Sequence, residues 1–166
     1  MFRRAFGLTL GLLIFSGTGG AANECDSPWI RGVYTGRSPR PVTAIESVAW
    51  QQANEVAGQN QDAIVLVGSG RSMQPLYAPG IILVTQRKDY AELQPGQTAI
   101  YRNKAGKVVA HILVTKARDG WRATGLNNQT HDMEPVRAEN LIGVVIAAFQ
   151  PMGGGKGALV ASTGRR

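Results

Sequence analysis

Apolar residues change their spacing once along this chain. From Thr43 to Ala57 they recur every three or four positions, and beyond Gly58 they come in short runs of four to nine. The first pattern predicts a helix over residues 43–57, with Ile45, Val48, Ala49, Gln52, Ala53 and Val56 on one face. Thr43 and Glu46 have the spacing of a capping box, in which each side chain satisfies a free backbone N–H. Gly58 is placed to end the helix. The second pattern predicts strands at Ile64–Val67, Ile81–Thr85, Thr98–Arg102, Val108–Lys116, Trp121–Thr124 and Leu141–Phe149. Asn103-Lys104-Ala105-Gly106 suits a hairpin turn between the third and fourth. The expected fold is mainly β, of coiled antiparallel strands, with one N-terminal helix that packs on the domain without chemistry of its own.

The two ends differ from this core. Residues 1–22 have the order of a signal peptide: Arg3 and Arg4, a short apolar run from Leu8 to Phe15, then small residues ending in Gly20-Ala21-Ala22. The rival reading is a membrane anchor, but a spanning helix needs about 20 apolar residues and this run is shorter. Export, with cleavage after Ala22 and a periplasmic or extracellular destination, is the expectation. Residues 23–42 hold Pro28, Gly32, Gly36, Pro39 and Pro41 and read as a linker, which Trp29, Ile30, Val33 and Tyr34 can pin to the domain. The helical unit spans 43–60 and the strand-rich domain 61–150. Residues 151–166 are Gly-rich and read as a disordered tail.

Composition narrows the function classes. The formal net charge is +7, and removing Arg3 and Arg4 leaves 16 basic residues against 11 acidic ones, or +5. Such a charge is compatible with peripheral contact at an anionic membrane surface. The basic residues are scattered, apart from Arg102, Lys104 and Lys107, and form no aromatic-interleaved stripe, so no nucleic acid is expected as a partner. One cysteine, Cys25, rules out a disulfide scaffold, leaving a free thiol or a bond between chains. Two histidines 20 residues apart do not suggest a zinc site, no phosphate-binding glycine motif is present, and no cofactor is implied.

The candidate chemistry begins where the strand ending at Val67 runs into Gly68-Ser69-Gly70-Arg71-Ser72-Met73-Gln74-Pro75. A glycine-rich turn can present a serine hydroxyl and aim backbone N–H groups at an oxyanion. A serine in such a turn is, by itself, usually a turn residue. Its companions change that reading. Ser72-Met73-Gln74-Pro75 with Leu76 and Gly80 resembles the nucleophile motif of the serine peptidase superfamily shared by signal peptidases and LexA-type repressors. Leu93-Gln94-Pro95-Gly96 before the strand at Thr98 resembles that superfamily's second glycine-led segment. Val108-Val109-Ala110-His111-Ile112 resembles the strand bearing the base. Gly125-Leu126-Asn127-Asn128 with Asp132 resembles the later acid-bearing segment of the archaeal and endoplasmic-reticulum branch, and Leu141–Val145 the closing strand. The likeness covers about residues 62–149.

The resemblance implies a serine endopeptidase working by acyl transfer, with Ser72 as nucleophile, His111 as base and Asp132 orienting the imidazole. It also implies an extended peptide or protein substrate bound along a strand edge. Met73 and Leu76 are candidates for lining its side-chain pockets, and equally for the core. A serine hydroxyl needs an adjacent base. His111 lies 39 residues after Ser72, and an ordinary imidazole, with pKa about 6.5, can serve near neutral pH. Lys116 is the rival. Strand alternation puts it on the opposite face from His111 unless a bulge intervenes. Asp132 can instead be a turn-capping acid, with His131 beside it, and Asn128 is placed to hold the loop through its side chain. Where the superfamily carries an acid after glycine, this chain has Ile81, Gln97 and Leu126. That departure supports an alternative, a catalytically inactive peptide-binding or scaffold relative. Gly70 offers no hydroxyl two residues before Ser72, so an oxyanion hole would rest on backbone N–H groups, that of Ser72 among them.

Overall fold

In a computed structural model, residues 27–152 are described. The expected signal peptide, Cys25 and residues 153–166 lie outside them. Two-residue strands β1 (Trp29–Ile30) and β2 (Val33–Tyr34) form a hairpin turned at Arg31 and Gly32, both at positive φ. Then follow β3 (Val42–Ile45), α1 (Glu46–Gln59), β4 (Ala63–Gly68) and β5 (Ile81–Gln86). A 3-10 turn (Tyr90–Glu92) leads to β6 (Thr98–Arg102), β7 (Val108–Ala117), β8 (Gly120–Thr124) and β9 (Leu141–Met152). Among the described residues the protein is mainly β, with a single α-helix and sheets that do not close into a barrel.

The large sheet runs β4-β5-β9-β6-β7-β8. All its pairings along that path are antiparallel, while β3 joins β9 in parallel. Strand β9 is twelve residues long and organises the rest. It carries β5 along one edge, and β6 followed by β3 along the other. Pairing shifts by a residue at Val84/Thr85, Ile100/Tyr101 and Leu113/Thr115. Such bulges sharpen local twist and let a sheet coil.

Coiling gives both sheet faces something to cover, which explains the unbroken apolar run Ile81-Ile82-Leu83-Val84. Ile81 and Leu83 enter a cluster with Ile30, Met73, Leu76, Tyr77, Ile100, Ile112 and Leu126. Ile82 and Val84 face Ala49 and Ala53 of α1, together with Phe149. A third cluster holds Ala99, Tyr101, Leu113, Trp121, Ala123, Val136 and Val144. The hairpin between β6 and β7 forms as expected, with Gly106 at positive φ and Asn103 N–H bonded to the Lys107 carbonyl.

Four expectations need correction. Thr43 does not cap α1: residues 42–45 are drawn into β3, Ile45 precedes the helix with no side-chain cap, and Ile45 is exposed rather than on the packed face. Sheet pairing with β9 satisfies more backbone groups than a capping box could. Gly58 lies inside the helix, which ends at Gln59. The stretch from 27 to 42 is more than a linker, since it contains three strand starts and the fully buried Ile30 and Thr35, although Trp29 is exposed. Pro151 and Met152 belong to β9, paired with Ala44 and Ile45, and so are not tail.

Phe149 joins α1, β5 and β3 at one point, and large-to-small changes of buried aromatics cost about 3–5 kcal/mol. Chemical denaturation of Phe149→Ala should show a loss of that size. Met152→Ala, at a 55% exposed position, should stay within about 0.5 kcal/mol of the parent.

Candidate active site

Strand β4 ends at Gly68, where an added Cβ would lie 2.7 Å from the Ile81 side chain. Gly80, at positive φ, donates its N–H to the Gly68 carbonyl at 2.7 Å and closes the loop that carries Ser72. The loop is anchored downward. Met73 and Leu76 are 5% and 1% exposed and belong to the core, as does Tyr77, whose hydroxyl donates to the Pro39 carbonyl. Of the two readings open for Met73 and Leu76, core packing is where both side chains lie. With those three side chains turned inward, partly exposed Ser72 stays at the surface of the loop.

His111 comes from the middle of β7, opposite Ala99 of β6, and is 6% exposed. Its Nε2 lies 3.0 Å from Ser72 Oγ, and its Nδ1 2.6 Å from Asp132 Oδ2. A carboxylate can only accept, so Nδ1 carries the hydrogen; Nε2 of the neutral ring then holds a lone pair and Ser72 O–H donates to it. Asp132 sits on the connection from β8 to β9, where its N–H bonds the Ala123 carbonyl at 2.9 Å. Residues 39 and 21 apart in the chain are thus joined in one hydrogen-bonded line. His131 is exposed.

Two residues that sequence reasoning passed over complete the arrangement. The Tyr101 hydroxyl donates to the same Asp132 Oδ2, and burial, followed by the neighbouring carboxylate, holds this phenol well above the ordinary tyrosine range. It therefore remains a donor. Arg31, at the tip of the β1–β2 hairpin, donates from Nη1 to Asn127 Oδ1 at 2.6 Å, and Asn127 N–H donates to the Ser72 carbonyl at 2.7 Å. The loop is therefore tied through Asn127, not through the Asn128 side chain. Nothing in residues 27–42 marks Arg31 in advance, because its partner is 96 positions away. Tyr101 carries a weak signal in its two-residue offset from Ala99, the residue that pairs with His111.

Gly125 explains how closely the parts fit. A Cβ there would lie 2.9 Å from both His111 Nε2 and the Ser72 carbonyl oxygen, and 2.8 Å from Asn128 Nδ2. None of the hydrogen bonds among the described residues takes up the Ser72 N–H, which leaves it available to a ligand oxygen. A cleft of about 360 Å³ opens on the Asp132 side of the imidazole, lined by Tyr101, Val109, His111, Asp132, Met133 and Glu134 among others.

Lys116 is not beside Ser72, but strand alternation is not the reason. The bulge between Leu113 and Thr115 breaks the alternation, so Lys116 pairs with Trp121 as Leu113 pairs with Ala123. Distance separates them: five residues of strand amount to about 15 Å, and the ammonium sits over the Tyr90 ring, 5.4 Å from its centroid. The positions that lack acids are also accounted for. Ile81 and Leu126 are each 2% exposed in the core beside Ile30, where a carboxylate would lose its hydration. Gln97 Oε1 accepts from Gln94 N–H at 2.8 Å, so a side-chain oxygen still closes that turn.

No family model, curated protein or solved structure matches the chain. Among the described residues no group of histidine, cysteine and acidic side chains could hold a metal ion, and no helix is long and apolar enough to cross a membrane.

Because Gly125 lies against both Ser72 and His111, Gly125→Ala must push them apart, and overpacking of this kind costs about 1–3 kcal/mol. Gly58→Ala is the control: its Cβ meets nothing within 4 Å, and relief of backbone entropy in a helix should stabilise by about 0.5–1 kcal/mol. Denaturation midpoints of the two variants should move in opposite directions.

Proposed function

We propose that the protein is a serine endopeptidase that cleaves by acyl transfer, with Ser72, His111 and Asp132 as its catalytic residues. The observation that carries this reading is the unbroken line from Ser72 Oγ through the imidazole to Asp132, at 3.0 and 2.6 Å. Nucleophile and base within hydrogen-bond reach, with the base held by a third group, is the arrangement that activates a hydroxyl.

In the first step Ser72 Oγ attacks the scissile carbonyl carbon and its proton passes to His111 Nε2. The imidazolium so formed lies against the Asp132 carboxylate. The carbonyl oxygen gains the negative charge, and the unused Ser72 N–H is a donor for it. His111 Nε2–H then protonates the leaving amine as the C–N bond breaks, leaving an acyl-Ser72 ester. Water, deprotonated by the same nitrogen, attacks the ester and frees the acid and the serine hydroxyl.

An extended peptide suits this site. Strand β4 leads directly into the Ser72 loop and is paired only with β5, so its outer edge has no strand partner among the described residues. Backbone hydrogen bonds to such an edge hold a peptide with little dependence on sequence. Export of the chain belongs to the same proposal and rests on residues 1–22 alone.

A fluorophosphonate probe tests the reading without a known substrate. Labelling should be lost in Ser72→Ala, fall by about 10²–10⁴ in His111→Ala, and stay near the parental rate in Lys116→Ala. Asp132→Asn should fall less than His111→Ala. Labelling should be lost in acid, because the base can accept the Ser72 proton only when it is itself unprotonated. A folded parent that takes no label would instead be a peptide-binding relative, and labelling lost in Lys116→Ala but kept in His111→Ala would overturn the base.

A further inference from the structure

The Asp132 carboxylate is positioned by side chains from other strands more than by its own loop. It lies on the β8–β9 connection between two exposed residues, His131 and Met133, and its own backbone supplies one hydrogen bond, to Ala123. Its side chain is 18% exposed and borders an open cleft. Leu126, in the turn after β8, is buried and offers no second carboxylate.

Tyr101 supplies a second donor to that carboxylate. Strand β6 is paired on both sides, and Tyr101 lies opposite Val109 of β7 and Leu141 of β9, so the phenol is carried from within the sheet. The residue is 1% exposed, and its ring packs edge-on to the His111 ring at 6.5 Å between centroids and 66°. Its hydroxyl and His111 Nδ1–H converge on one oxygen, Asp132 Oδ2. Two donors from adjacent strands therefore set where that oxygen can be. The second donor also draws charge from Oδ2 and weakens it as a proton acceptor, which favours leaving the proton on the ring. Other titratable groups near this cluster are Glu134, whose Oε2 accepts the Lys104 N–H, and the Lys104 side chain across the same cleft. Ser72 faces the ring from the opposite side.

We infer that Tyr101 is a positioning residue of the Ser72–His111–Asp132 site, acting through Asp132 by fixing and partly neutralising the oxygen that receives His111 Nδ1–H. The inference rests on the proposed peptidase reading for its functional meaning, although the geometry it concerns can be tested without activity.

Tyr101→Phe removes only the hydroxyl. With the fluorophosphonate probe, labelling of Ser72 should slow about tenfold. The acid limb of its pH profile should move to higher pH by about one unit, the scale of one hydrogen bond to a charged group. In an Asp132→Asn background the same substitution should have no further effect, because a residue that acts only through Asp132 has nothing left to act on. Independently of labelling, proton NMR of Ser72→Ala protein should show the His111 Nδ1–H resonance far downfield, with Tyr101→Phe shifting or broadening it. An unchanged pH profile and an unchanged resonance in a folded Tyr101→Phe protein would overturn the inference, as would additive losses in the double variant. If the parent takes no label yet the resonance responds to Tyr101→Phe, the peptidase reading fails and the positioning role stands.

Discussion

The imidazole of His111 is the point on which this structure turns. It must meet Ser72 at one nitrogen and Asp132 at the other, and the two partners come from loops on different sides of β7. Both contacts lie within hydrogen-bond reach although the three segments are far apart in the chain, so their positions have to be set by the sheet itself. Strand β7 achieves this by pairing with β6 and β8 together. The Ser72 loop is closed against β5 by the bond from Gly80 to Gly68, and Asp132 is bonded back to β8. Each loop is thereby referred to the same frame.

That frame leaves no slack at the centre. Gly125 brings the backbone after β8 against His111 and Ser72 at distances that admit no side chain. The core beneath it is built from both ends of the described chain: Ile30 from the first hairpin, Met73 and Leu76 from the Ser72 loop, Leu126 from the turn after β8, and Val145 from β9. Apolar residues at 81 and 126 are consistent with this arrangement. An acid at either position would be stripped of water without a partner to replace it. The arrangement trades possible extra carboxylates for packing, and leaves Asp132 with Tyr101 as its companion.

The hairpin at residues 29–34 has a larger part than its length suggests. Ile30 fills the core under Met73, while Arg31 reaches across to Asn127, which in turn holds the Ser72 carbonyl. A charge-assisted bond of this kind, ending at an exposed asparagine, contributes less to stability than burial of Ile30 does. Its effect is on geometry: the Ser72 loop and the Gly125–Asn128 turn are held from a segment well outside the stretch that carries the motifs.

Periodicity alone determined a good deal here. The six strands from Ala63 onward, the β6–β7 hairpin and the single helix follow from runs, turn residues and helical spacing, because those patterns reflect local preference and burial together. Ser72, His111 and Asp132 were nameable as candidates because the segments that carry them resemble the motifs of the signal peptidase and LexA-type superfamily, which implies a role for each residue. Their contact was not in the pattern. It depends on register, and a shift of one residue in β7 would turn His111 to the other face. Thr43 shows the same limit from the other side: its capping spacing is real, but pairing of β3 with β9 outweighed it. The bulge after Leu113 undid the alternation argument for Lys116, since no local signal announces an extra residue in a strand. Arg31 and Tyr101 acquire their places only when segments distant in sequence become neighbours. Spacing along a chain records what each residue prefers locally, whereas long-range pairing, which satisfies many backbone groups at once, decides which of those preferences survive.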